Sequence, residues 1–433
     1  MLCETTKDNY FMTYPIYKIK DFCQVGDGAH ASIKRGNTGI MYLSSKNFKS
    51  HGLDLTNLDY ISQSDYEKHF KVSKTAITTP AANDVLLGII GSIGVPYIVK
   101  ERDLFGISSS VAILRTQQGL DANYLFHYMK SAFFQQSVDA IKSGAAQGFL
   151  SLEMIRNLPL IAPKEDIQQQ IAEILSAYDD LIETNNQRIA TLEQLAQQIY
   201  KEWFVRMRFP GWETTPFHHG IPEGWEIQEI KNFDIQIIDG DRGKNYPSKS
   251  EFSETGSCLF LNTGNIQDDK FVFNQCEFIS EEKDHQLRKG KLQRGDCVLT
   301  TRGTVGNLAY FHHGISIDNI RINSGMIILR CRSGINPQFL YQLLKSQTMK
   351  EQYMLYSSGS AQPQLPIRDF NRIKSILPPK IIQEKFSNLM EPIFEQIGTL
   401  SAMNEIAILT RNLLLPRLIS GKLTIKQAEA LAT

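Results

Sequence analysis

The sequence predicts an α+β protein: two tandem-duplicated globular halves, separated and bridged by two long helices with coiled-coil seams. The first observation is the stretch Pro163 to Phe204. From Ile167 its apolar positions run Ile171, Ile174, Tyr178, Leu181, then Ile189, Leu192, Ala196, Ile199 and Trp203. Steps of four and three residues are the seam of a coiled-coil helix, and Asn185 and Asn186 interrupt it with polar groups. About 40 residues at 1.5 Å each make a rod of ~60 Å. The second observation is a similar seam near the C-terminus: Ile382, Phe386, Leu389, Ile393, Ile397, Leu400, Ile408 and Leu414. Neither seam has a local partner, so the simplest burial pairs the two rods.

The third observation is an internal repeat. Asn83-Asp84-Val85-Leu86 with Gly91-Ser92-Ile93-Gly94 matches Gly295-Asp296-Cys297-Val298 with Gly303-Thr304-Val305-Gly306 at an offset of 212. At an offset of 215, Leu114-Arg115 matches Leu329-Arg330, Tyr124-Leu125-Phe126 matches Phe339-Leu340-Tyr341, and Lys130-Ser131 matches Lys345-Ser346. Ser143-Gly144 through Gln147 matches Ser358-Gly359 through Gln362, and Pro163 matches Pro378. Upstream, the segment Ile16 to Phe22 resembles Ile227 to Phe233. Shared order at nearly constant spacing over roughly 190 residues marks a tandem duplication.

Each half reads alike in order. Short strands come first, separated by Gly-, Asn- and Ser-rich turns, with Gly39–Leu43 and Ser257–Leu261 as one matched pair. A Gly-x-x-Gly turn follows, then a strand ending in Leu-Arg, then an amphipathic helix. Asp121 or Asn336 can cap that helix, and Pro337 suits its first turn. The Ser-Gly-x-x-Gln loop leads to a last strand before the rod. The predicted boundaries are 1–162 and 225–378 for the halves, 163–206 for the first rod, 207–224 for a connector, 379–423 for the second rod and C-terminal segment, and 424–433 for a tail. Pro392 predicts a kink in the second rod. Pro416 should disrupt its helix, and Gly421 suits its termination.

Composition narrows the class. Hydrophobic residues make up 42% and charged residues 21% of 433, enough for more than one core. Six cysteines without a C-x-x-C pair disfavour a zinc site and a disulfide framework, and suit a reducing cytosol. The first fifteen residues are too polar for a signal peptide, and the apolar run Val85–Val99 is broken by glycines and too short to span a bilayer. A cytoplasmic protein without a membrane partner is the expectation. Lys and Arg equal Asp and Glu at 46 each, which leaves room for local basic patches but not a basic coat.

No Gly-x-x-x-x-Gly-Lys-[Ser/Thr] loop, His-Glu-x-x-His or Asn/Asp-Pro-Pro-aromatic tetrapeptide is present. The repeated halves share no acid–base set, so the chain reads as a binder with no catalytic residue and no metal of its own. Residues suited to DNA gather on loops. Arg242, Lys244, Asn245 and Tyr246 join cations, an amide and an aromatic ring, and Arg302 and Thr304 stand at the second Gly-x-x-Gly turn. In the first half Lys46 and Ser92 occupy comparable turns. Arg grips guanine bidentately, Asn or Gln does the same with adenine, and Lys neutralises phosphate. Gln147 and Gln362, and Asn47 and Asn265, fit either base reading or a structural hydrogen bond.

With its order of parts, the whole chain resembles the specificity (S) subunit of type I restriction–modification systems. The supporting segments are Gly295–Gly306, the loops at 143–147 and 358–362, the run Pro163–Leu181, and the tail Leu413–Leu423. The first half departs from the second with Asn83 for Gly295 and Ile90 for Arg302. The resemblance implies two target recognition domains, each reading one half of a bipartite asymmetric site in double-stranded DNA, with the helices antiparallel as a spacer. It implies two modification subunits docked on the helices and restriction subunits beyond them. S-adenosylmethionine, ATP and Mg²⁺ belong on those partners. Centres about one helical turn (~34–36 Å) apart would place both domains on one DNA face. The readings set against it are a self-contained DNA-modifying or DNA-cleaving enzyme, and a structural protein whose rods dimerise.

Overall fold

The computed structural model describes residues 14–49, 52–70, 77–144, 148–273, 275–359 and 362–432. The chain divides into two compact units, residues 1–182 with 406–433, and residues 183–405. Each long helix is therefore shared: its residues fall partly in one unit and partly in the other.

The two units repeat one topology. In the first, a four-stranded antiparallel sheet has the order Cys23–Asp27, Val111–Thr116, Val85–Gly88, Pro96–Ile98. In the second the order is Ile235–Asp239, Met326–Cys331, Cys297–Thr300, Leu308–Tyr310. A three-stranded sheet accompanies each. Ile40–Leu43 pairs parallel with Phe105–Ile107, and Cys258–Leu261 pairs parallel with Ile320–Ile322. The segments Ile16–Lys18 and Glu226–Glu229 pair with the strands that lead into the rods, Pro159–Ile161 and Lys374–Leu377. Central strands such as Val85–Gly88 and Cys297–Thr300 are buried on both faces, which explains their unbroken apolar runs.

The motifs behind the repeat are structural. Arg115 grips Asp84 with two bonds of 2.8 and 2.7 Å, and Arg330 grips Asp296 with the same two lengths. Both aspartates are buried, and a bidentate pair satisfies a carboxylate that would otherwise be costly there. Asn83 and Gly295 precede them with φ of 69° and 90°. Asn is among the few residues that tolerate this left-handed conformation, so the substitution between halves keeps the turn.

Asp121 caps the helix Ala122–Lys130 by accepting the Tyr124 N–H at 2.8 Å, and Pro337 opens Pro337–Lys345. A second helix follows in each half, Ala132–Gly144 and Gln347–Tyr356, ahead of the Ser-Gly-x-x-Gln segments; the first of them takes in Ser143 and Gly144, which the sequence predicts as loop. Short helices, Leu152–Asn157 and Ile367–Phe370, precede the last strands. The connector forms a hairpin, Phe217–His218 with Ile221–Pro222.

The first rod is the helix Glu165–Tyr200, closed by a π-helical turn over Lys201–Val205; the second is Lys380–Ile419. Within the second unit they run antiparallel. Asn185 meets Asn404 there, and Tyr200 and Phe204 meet Phe386 further along. The Phe204 and Phe386 rings meet edge-on at 4.9 Å, a contact worth about 1 kcal/mol beyond its buried area. In the first unit Ile171 and Leu175 share a core with Leu414, Leu415 and Leu418.

The seam differs from prediction in three places. Leu181, Leu389 and Ile408 are exposed, while Leu175, Met390 and Leu418 are buried. A straight helix drifts against a 3.5-residue repeat, and each rod also packs against its own domain, which turns other positions inward. Pro416 does not end the helix, which continues through both Pro392 and Pro416. Burial of Leu414, Leu415, Leu418 and Ile419 around Pro416 outweighs the ~3 kcal/mol that an interior proline costs. Gly421, with φ of 73° and its N–H on the Leu418 carbonyl at 3.1 Å, supplies the stop. The tail beyond it is helical over Ile425–Ala432. Among the described residues no helix is long and apolar enough to cross a membrane.

Candidate nucleic-acid interface

The loops singled out in the sequence converge on one edge in each unit. In the second unit four segments meet: 262–265, 301–306, 323–325 and 364–365. Thr301 N–H bonds to the Gly325 carbonyl at 2.8 Å, Asn323 N–H to Leu261 at 3.0 Å, and Leu365 N–H to Thr301 at 2.9 Å. The first unit repeats the arrangement. Ile89 N–H bonds to Ser110 at 2.9 Å, Ser108 N–H to Leu43 at 2.9 Å, and Leu150 N–H to Ile89 at 3.0 Å. The Gly-x-x-Gly turns are the hairpins at the centre of these edges. Gly91 and Gly94 have φ of 76° and 86°, and Gly303 and Gly306 have 74° and 94°. That geometry is open to glycine and strained for other residues.

The predicted residues fall into groups. Arg302 and Thr304 are exposed at the turn tip, and the Arg302 guanidinium has no acidic partner among the described residues. Arg242 is exposed beside them; its guanidinium lies 3.1 Å from Asp239 and 3.2 Å from the Ser324 carbonyl. Gln362 is exposed next to the Ser358–Gln364 bridge, which closes its loop onto the same edge. Lys244 is exposed nearby, again without an acidic partner among the described residues. Asn245 spends its amide on the Gln286 carbonyl at 3.2 Å. The Tyr246 ring packs edge-on against Phe260 at 5.6 Å, and burial pushes its phenol above the ordinary range. Both therefore hold the loop.

Asn47 and Asn265 resolve in the same way as each other. Each is buried, accepts a backbone N–H three residues back (Ser44 at 3.0 Å, Asn262 at 2.9 Å), and donates to a carbonyl seven residues on (Asp54 and Val272, both 3.0 Å). Their amides are committed to the turns that shape the edge. Lys46 is exposed, with its ammonium 3.5 Å from Asp59, and Ser92 is half-buried in the first Gly-x-x-Gly turn. Gln147 lies outside the described residues.

Sequence reasoning missed several edge residues. Arg288 and Lys289 are exposed, and the Arg288 N–H donates to Asp241 at 2.7 Å beside the Arg242–Tyr246 loop. The Arg-Lys-Gly run at 288–290 was the available signal. His30 stands where Arg242 does: it pairs with Asp27 at 2.7 Å as Arg242 pairs with Asp239. Ile90 and Phe149, both exposed, take the places of Arg302 and Gln364.

A cleft of about 270 Å³ in the second unit is lined by Phe271, Phe273, Tyr310, Tyr341, Phe394 and His312. Burial, helped by Arg294, holds His312 down to about 4, so it is neutral at pH 7, and its Nδ1 accepts the Gly314 N–H at 3.1 Å. Cys23 and Cys331 are free thiols that burial pushes up to about 12. No three metal-ligating side chains cluster among the described residues.

The comparisons agree with the duplication. The family model of the type I restriction modification DNA specificity domain matches twice, over residues 13–194 and 222–407. The chain is 24% identical to the type I restriction enzyme MjaIX specificity subunit of Methanocaldococcus jannaschii, covering 96% of this chain and 94% of that protein. It is 26% identical to the MjaVIII specificity subunit of the same organism over 85% of each. Its fold is similar to the crystal structure of a type I restriction–modification S subunit from M. genitalium, with a TM-score of 0.55, 16% identity, and 96% and 98% of the two chains covered. Two successive domain matches, spanning most of the sequence and coinciding with the repeated sheets, place this chain in the family of type I restriction–modification DNA specificity subunits.

Proposed function

We propose that this chain is the sequence-reading subunit of a type I restriction–modification complex, with each unit reading one half of a bipartite, asymmetric DNA site. One observation carries the reading: the same four-segment edge is built twice, from the same buried bonds, but presents different exposed side chains. Identical scaffolds with unlike tips suit two unlike half-sites. In the second unit Arg302, Arg242, Gln362 and Thr304 would meet base edges, and Lys244, Arg288 and Lys289 the phosphates. In the first, Lys46 and Ser92 join the contact. Asn47, Asn265, Asn245 and Tyr246 position the loops.

The chain itself is non-catalytic in this reading. Two modification subunits, which carry S-adenosylmethionine, dock along the helices, and restriction subunits supply the ATP- and Mg²⁺-dependent steps. The length of the helical segments sets the gap between half-sites. Selection of duplexes from a random pool by the chain with its modification subunits tests this. A two-part motif with a fixed gap is expected, and removal of about two helical turns from the first rod should change the gap alone. An unchanged gap would refute the spacer role. Turnover of DNA by the isolated chain would make it an enzyme instead.

A further inference from the structure

The tip of the edge is apolar in the first unit where it is polar in the second. Ile90 and Phe149 face each other across an isolated antiparallel bridge, as Arg302 and Gln364 do at the corresponding place. The bonds of Leu150 to Ile89 at 3.0 Å and of Leu365 to Thr301 at 2.9 Å fix the correspondence. Ile90 is 45% exposed and Phe149 38% exposed, and neither joins the first unit's apolar clusters. Their turn neighbours Ser45, Ser92 and Ser110 are uncharged, and the nearby Lys46 leans to Asp59. Single exposed apolar residues are ordinary on a protein surface. Two that meet at the point where the sister unit presents an exposed guanidinium are a distinct chemical choice.

In the major groove the C5-methyl of thymine is the apolar feature that a base pair offers, whereas guanine offers O6 and N7 to arginine. We propose that Ile90 and Phe149 form an apolar step packed on a thymine methyl in the half-site read by the first unit. The inference rests on the DNA-reading function given above and names the base chemistry of one tip.

Uracil substitution isolates the methyl. The chain with its modification subunits is titrated onto its selected duplex, with each thymine replaced in turn by uracil. Arg302→Ala first identifies the half-site of the second unit. In the other half-site one replacement should weaken wild-type binding about fourfold, the share of one buried methyl. The Ile90→Ser/Phe149→Ser double variant should bind the two duplexes equally while keeping its preference at the far half-site; Ile90→Val should retain the discrimination. The step is refuted if no thymine there responds to loss of its methyl, or if the response survives in the double variant. It is also refuted if the double variant keeps its base preference but no longer holds the modification subunits, which would make the pair a protein contact. If the wild type shows no sequence preference at all, the recognition reading itself fails and the step falls with it.

Discussion

The Asn185 amide donates to the Asn404 side-chain oxygen at 2.9 Å, where the two residues are only 2% and 8% exposed. The Asn404 amide in turn donates to Asn186 at 3.0 Å. A polar layer inside an apolar seam penalises every register in which the amides miss each other. Asn404→Leu leaves the buried Asn185 amide unpaired and should cost about 1–3 kcal/mol. Adding Asn185→Leu should recover that loss. Chemical denaturation of the wild type, the single and the double variant checks the order.

Removing one arm of a duplicated ion pair should be severe. Asp296 is 1% exposed, and Arg330 supplies both of its guanidinium bonds. Arg330→Met should therefore destabilise by about 3–5 kcal/mol, the cost of a buried charge without its partner. Arg115→Met should do the same through Asp84. Urea midpoints report both.

DNA affinity should separate reading from grip. Arg302→Ala is expected to cost about 1–3 kcal/mol and to relax one base position. Lys244→Ala should weaken all sequences evenly and lower the salt slope by about one. Anisotropy titrations across a salt series, on the selected duplex and a scrambled one, distinguish the two effects.

Acid should loosen the protein through His127. Its imidazole is buried, lies 3.1 Å from Ser176 Oγ, and is lowered to about 3 by burial and by Lys130 and Arg411 against the opposing Asp179. The unfolded chain takes up that proton near pH 6.5 and the folded chain resists, so the contribution is full above about 6.5 and is lost as pH falls toward 3. Between pH 6.5 and 5 the loss is about 2 kcal/mol. Gln342 fills the corresponding buried position in the second unit. His127→Gln should accordingly flatten the stability curve over that range, measured by denaturation at each pH.

The order of parts was legible because duplication and helical seams leave periodic marks. Asp84 matches Asp296 at an offset of 212 and Arg115 matches Arg330 at 215, and the structure shows why both recur: each arginine holds its aspartate. The site was legible only as a set of loops. Asn47 and Asn265 carry the same chemistry as a base-reading amide, and nothing local shows that their hydrogen bonds point inward. Ile90 and Phe149 are 59 positions apart and become a pair only when a bridge joins them.

By itself the sequence determined two like halves, each followed by a long amphipathic helix, since apolar spacing and turn residues act over a few neighbours. Which faces of those helices are buried, how far the helix runs past Pro416, and which side chains stand at each recognition edge were decided by tertiary structure. Those outcomes depend on burial and hydrogen bonds between residues far apart in the chain, and such energies exceed the local preferences that the sequence displays.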